Sequence, residues 1–413
     1  MHRRTAPLAM LTSAALLALP AAVSVAPAAA ADRGAAGARA VDVVPVRPST
    51  AAAPTGTCRL PTPQTNLAEG FPVAAQALPA RGELRAAMIY VDFSDAEAPS
   101  GSLPAAEENL RSGIEYLETV SGGALDVVTT SSEQWVRMPE PAADYPFQRG
   151  LSYADHVRYI EDAVVAADPV MDFSEVDVVW VVATREAEAI SFSPTTNFLD
   201  VTADGQHLGH AVTFGYDQWH WGGLVLAHET GHTLGLPDLY TFAGVPDEDG
   251  GLDYHSFAGG WDVMGLISGR APELLAWHRW MLQWVDDEQV ACLDPDARTA
   301  TVELTAVEAG GGTAMAVLPL SDTRALVVES RRALRYDHQI AQEGALVYTV
   351  DTTVPTGSGP VEVHDTTPGS ALDKDDATLT ARHSWTDPES GTTVRVVRST
   401  DRTDTVQVRP GRG

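Results

Sequence analysis

One stretch constrains this chain more than any other: Leu226-Ala227-His228-Glu229-Thr230-Gly231-His232-Thr233-Leu234-Gly235-Leu236-Pro237-Asp238. His228 and His232 are four residues apart. On a helix both imidazoles leave the same face, with ring nitrogens able to meet at a single ion. Glu229 reaches the same pocket but sits better beside a metal-activated water than on the metal. Gly235 can take the left-handed conformation that ends a helix, and Pro237 forbids continuation. That turn brings Asp238 back beneath the histidines as a third, oxygen ligand and leaves a fourth position for water. In chains of this composition the full pattern arises by chance in on the order of one in ten thousand. The bland reading is an amphipathic helix whose polar side holds two histidines. It would strand imidazoles without partners on a helix that Leu224, Val225, Leu226 and Ala227 bury.

H-E-x-x-H-x-x-G-x-x-D, from His228 to Asp238, resembles secreted zinc peptidases of the metzincin-like kind, and most closely the immune inhibitor A-like metallopeptidases. Gly259-Gly260-Trp261-Asp262-Val263-Met264-Gly265 is similar to that family's W-D-x-M stretch, which implies Met264 as the methionine turn under the zinc. Residues 271–285 resemble the helix that follows it, and residues 344–351 a post-catalytic β segment. The likeness covers residues 84–351 loosely and is specific only around 228–285. Many relatives follow Pro-Asp with x-Tyr-Asp, whereas Tyr240 is followed here by Thr241. The expected fold is α/β (α+β): a zincin-type catalytic domain with a mixed sheet and an active-site helix, then an all-β C-terminal module.

Composition narrows the partners. The 413 residues carry 27 Lys+Arg against 56 Asp+Glu, a formal charge of −29. Nucleic acid is disfavoured, because phosphates are held by counterion release onto Lys and Arg, and so are anionic membrane surfaces. Hydrophobic content of 44% excludes disorder over most of the length. His2, Arg3 and Arg4, the apolar run 6–19, Pro20 and the small residues 27–31 read as a signal peptide cleaved near Ala31. That run is too short for a membrane span, and no other stretch is apolar enough. The expected product is a secreted, soluble monomer. Export favours a Cys58–Cys292 disulfide; the competing reading is a Cys58 thiolate that caps the zinc as a latency switch.

The chain divides into a signal peptide (1–31), a linker or propeptide rich in Ala, Pro, Thr and Gly (32–80), a catalytic domain (81–290) and a β-rich domain (291–413). Order is expected from about Leu84. Helices are predicted over 107–120, 153–167, 221–234 and 273–285, the last with Pro272 in its first turn. Strands are predicted near 84–91, 125–130, 134–138, 176–182 and 207–214. After residue 290, short Val/Thr/Leu runs alternate with turns.

The chemistry implied is zinc-dependent hydrolysis of protein or peptide substrates, with Glu229 as general base. Two alternatives stand beside it: a non-catalytic binding or adhesion protein on a peptidase scaffold, and a metal-dependent hydrolase of a non-peptide bond. His255 or Tyr254 is a candidate for contact with the developing oxyanion, against an ordinary surface or packed role. His278 reads as packing, and the six tryptophans between 219 and 284 as core. Asp247, Asp249 and Asp253 form a candidate calcium loop, although a solvated acidic loop explains them as well. Asp373, Asp375 and Asp376 are a weaker case of the same kind.

Overall fold

The strands of the first half are buried on both faces because helices cover both sides of a largely parallel sheet. In the computed structural model the described residues are 58–246, 251–370 and 372–411. The expected signal peptide, the linker up to residue 57, and Asp247 and Asp249 lie outside them.

The first half runs β1 (Gly82–Asp92), α1 (Leu103–Val120), β2 (Leu125–Ser131), β3 (Val136–Arg137), α2 (Tyr153–Ala167), β4 (Val178–Ala183) and β5 (Thr195–Thr196). Then come the hairpin β6 (Val201–Ala203) and β7 (Gln206–Leu208), β8 (Ala211–Phe214), α3 (Gln218–Trp221) and α4 (Leu224–Thr233). The pair β9 (Val245–Pro246) and β10 (Leu252–Asp253) and the short α5 (Ala276–Met281) complete it. The main sheet has the order β2-β1-β4-β8-β5, with β3 also on β1. All its pairings are parallel except that of edge strand β5 with β8.

Period-two alternation assigns each face. Leu84, Ala86, Met88 and Tyr90 of β1, with Val178, Trp180 and Val182 of β4, pack with α1 and α4. Ala87, Ile89, Val91, Val179 and Val181 pack with Tyr159, Ile160, Ala163 and Val164 of α2. Helix α1 approaches the start of α4 closely at Gly113, where a Cβ would lie 2.0 Å from Gly223 O and 2.8 Å from Leu226 Cβ.

The second half contains β11 (Val290–Cys292), β12 (Ala300–Thr305), β13 (Met315–Pro319), β14 (Arg324–Arg331) and β15 (Gly344–Asp351). It ends with β16 (Val361–Val363), β17 (Ser384–Thr386), β18 (Thr393–Ser399) and β19 (Thr403–Arg409). Sheets β11-β13-β14-β15-β16 and β12-β19-β18-β17 enclose Leu304, Leu326, Val328, Val347, Val396 and Val406. The other face of the five-stranded sheet, with Met315, Val327 and Tyr348, joins the core of α1, α4 and α5. Apolar packing is therefore continuous across residue 290.

Several sequence expectations change. The helix predicted over 221–234 is split, because Gly222 at φ 68° separates α3 from α4. The strand predicted over 207–214 is likewise divided between β7 and β8. The helix predicted over 273–285 shrinks to six residues and does not start at Pro272. Buried carboxylates take backbone N–H groups just before it and at its first residue: Glu273 N donates to Asp337, Leu275 N to Asp262 and Ala276 N to Glu329. A positive φ at Gln283 turns the chain away after it.

Ordered structure is already present at residue 58, well before Leu84. Residues 58–80 have no helix but pack as a strap. Cys58 and Cys292 form a disulfide with Cα atoms 5.7 Å apart, which removes the thiolate needed for a latency switch. Phe71 stacks edge-on against Trp277 and Trp280, and Leu78 N donates to Thr233 O at the end of α4. No helix among the described residues is long and apolar enough to cross a membrane.

Candidate metal centre

Helix α4 is buried from Val225 to Thr233, and its position fixes both histidines. His228 Nδ1 lies 2.9 Å from Val263 O, and His232 Nδ1 lies 2.8 Å from Leu236 O. Carbonyl oxygens only accept, so in each ring Nδ1 carries the proton and Nε2 presents a lone pair. Gly235 then reverses the chain at φ 99°, where any Cβ would strike Val73. The reversal brings Asp238 Oδ1 to 3.2 Å from His228 Nε2 and 3.3 Å from His232 Nε2.

Asp238 Oδ1 is buried and has no hydrogen-bond donor. One ligand atom from each of the three residues lies within 4.8 Å of the others, the one such group among the described residues. Three convergent lone pairs in a buried pocket fit a cation and little else. Without a metal ion, the same negative pocket draws protons onto the imidazoles instead, and a metal would have to displace them. Burial opposes charge on His232, but Asp238 more than compensates and lifts its pKa to about 9. Burial likewise works against charge on His228 and on Asp238. Even so, contact with Asp238 raises the His228 pKa, and the imidazoles hold the Asp238 carboxyl far below its usual range.

Glu229 is buried, and burial raises its pKa despite the opposing pull of the imidazoles. Its Oε2 accepts a 2.8 Å hydrogen bond from Thr195 Oγ1, and the same hydroxyl is 3.0 Å from Glu229 O. Edge strand β5 thereby orients this carboxylate. Asn197, just beyond β5, donates to His232 O at 2.8 Å.

Met264 packs against α4: its Sδ is 2.8 Å from where a Cβ on Gly231 would stand, and its carbonyl accepts from Leu239 N. Asp262 accepts from Met264 N at 2.8 Å and from His278 Nδ1 at 2.8 Å, and His278 Nε2 is 3.0 Å from Glu69 Oε1. His278 is packed in the core as expected, and in addition it bridges two carboxylates. It is an ionised hub between two buried carboxylates, and although burial disfavours its charge, Glu69 and then Asp262 hold its pKa at about 10.

The metal-ligand group opens into a cleft of about 1100 Å³. Tyr254 is exposed at its wall, while His255 donates to Gly265 O at 2.7 Å. Tyr240 is closer to the ligands, its ring centroid 6.3 Å from that of His228. Of the six tryptophans expected as core, Trp261, Trp277 and Trp280 are buried, whereas Trp221 is exposed and lines the cleft. Asp253 Oδ1 caps His255 N at 2.7 Å and joins no cluster of ligands among the described residues.

Sequence reasoning missed Thr195 and Thr356. Thr356 Oγ1 accepts from Asp238 N at 2.9 Å, and Gly357 N donates to Asp238 O at 3.3 Å, so the segment after β15 braces the third ligand. No short motif surrounds either threonine.

No protein-family model matches the chain, and no curated protein matches it. Among solved structures it shows a weak similarity to catalytically inactive OgpA from Akkermansia muciniphila in complex with an O-glycopeptide substrate, glycodrosocin. Identity is 11%, the match covers 69% of this chain and 92% of that one, and the TM-score is 0.24.

Proposed function

We propose that the chain is a secreted zinc-dependent endopeptidase. The observation that carries this reading is the convergence of His228 Nε2, His232 Nε2 and the donorless Asp238 Oδ1, with Glu229 in the same cleft. Two imidazoles and a carboxylate are a zinc-type ligand set of the catalytic kind, three protein donors with a position left open. Zinc held there supplies Lewis acidity toward a water and a carbonyl oxygen. Glu229, anchored through Oε2 by Thr195, takes the proton of the attacking water and delivers it to the leaving amine. Met264 and the Nδ1 hydrogen bonds keep the ligands in place. A peptide is favoured as substrate because β5 ends the sheet beside the cleft, and an open strand edge can pair with an extended backbone. The disulfide fits an oxidising compartment.

Casein digestion with and without a chelator, with Glu229→Gln alongside, tests this. Wild type carries one zinc per chain and loses activity on chelation. Glu229→Gln keeps the zinc and loses about 10³-fold in turnover. Protein without stoichiometric metal, or unimpaired digestion by Glu229→Gln, would overturn the assignment.

A further inference from the structure

Among the described residues lining the cleft, one is a lysine or arginine: Arg149, in the loop that leads into α2. It is exposed, and its guanidinium carbon lies 5.2 Å from the ring centroid of Phe192, just before β5. Stacking on an aromatic face orients a guanidinium and leaves its N–H edge for a planar acceptor. Some exposed arginines are closed by carboxylates, as Arg137 is by Asp92 and Glu97, and Arg59 by Asp287. Arg149 forms no such ion pair with a described residue. Asp217, whose charge it influences, uses its carboxylate oxygens on Ser193 N at 3.1 Å and Ser193 Oγ at 2.6 Å.

We propose that Arg149 determines specificity by binding a carboxylate of the peptide substrate at the end of the cleft where Phe192 leads into β5. This deepens the peptidase reading and rests on it. The carboxylate is either an Asp or Glu side chain or the peptide's own C-terminus; both present the two coplanar oxygens that a guanidinium edge matches. Position is specified by contrast. A chain with 56 acidic residues repels an acidic group over most of its surface, and Asp217, Glu229 and Asp238 all line this cleft. Apart from the metal site, Arg149 is the place along the cleft where such a group is attracted.

The test measures kcat/KM on matched peptides that differ as Glu against Gln at each position flanking the cleaved bond, and as free acid against amide at the C-terminus. Wild type prefers the charged member of one pair by about fivefold, as a partly exposed charge pair provides. The pair affected identifies the source of the carboxylate. Arg149→Gln brings that ratio to about one, Arg149→Lys keeps part of it, and Arg158→Gln keeps all of it. Arg158, stacked on Tyr145, does not line the cleft. No preference in wild type, or one that survives Arg149→Gln, overturns the proposal. Calorimetric titration of the same pairs into the Glu229→Gln protein reads the preference without turnover. Failure of the peptidase reading shows as absent hydrolysis by wild type, and failure of the Arg149 assignment as equal binding of charged and neutral peptides.

Discussion

Replacing His278 by Leu strands two carboxylates in the core. Glu69, Asp262 and His278 are all fully buried, and the imidazole supplies the cation that both acids face. Leucine roughly preserves the volume, so the cost is electrostatic. Removing one partner of a buried pair costs about 3–5 kcal/mol, against a total stability of about 5–15 kcal/mol for a folded protein. At a urea slope of about 3 kcal/mol per M, the unfolding midpoint falls by at least about 1 M. Adding Glu69→Leu removes one stranded carboxylate. Asp262 remains, but it still accepts from Met264 N and Leu275 N, so the double variant recovers about half the loss. The pH dependence has a definite sign. The His278 pKa rises on folding from an ordinary value of about 6.5 to about 10. Its stabilisation is complete below about pH 6.5 and is lost as pH climbs toward about 10, by at most about 1.4 kcal/mol per unit. His278→Leu lacks this slope. Urea titrations monitored by tryptophan fluorescence between pH 6 and 10 measure both effects. A midpoint shift below about 0.3 M, or a double variant no more stable than the single one, would refute the charge-hub reasoning.

Two further perturbations separate chemistry from scaffold. Thr195→Val removes the hydroxyl that lowers the Glu229 pKa; the acidic limb of kcat/KM then moves to higher pH and kcat at pH 7 drops about tenfold, with zinc content unchanged by elemental analysis. Reducing Cys58–Cys292 opens a loop with a sequence separation of 234 residues. The chain-entropy cost is about 5 kcal/mol, so reductant lowers the urea midpoint and exposes residues 58–80 to limited proteolysis; an unchanged midpoint contradicts a bracing role for the strap.

The candidate metal-ligand group was legible because its three residues fall within eleven consecutive positions, where spacing on one helix and a glycine reversal dictate geometry. Helix α2 was legible for a similar reason, since its apolar stripe faces the sheet without interruption. α5 was not. Its apolar pattern suits a longer helix, but Asp337, Asp262 and Glu329 accept from the N–H groups of Glu273, Leu275 and Ala276 and hold that segment in place ahead of the helix. Each acceptor comes from a distant segment, and periodicity carries no trace of it. The strap misled for the opposite reason: residues 58–80 lack any period, yet side chains such as Phe71 and Glu69 are held by α5.

By itself the sequence determined the convergent His228, His232 and Asp238 group, the neighbouring carboxylate and much of the layered order of strands and helices, because those follow from residues close together in the chain. Tertiary structure alone decided which groups hold that set in place. Thr195 lies 34 residues before Glu229, Thr356 lies 118 after Asp238, and Glu69 lies 209 before His278. Hydrogen bonds and buried charge pairs between such positions depend on where the folded backbone places two side chains, and sequence spacing does not encode that separation.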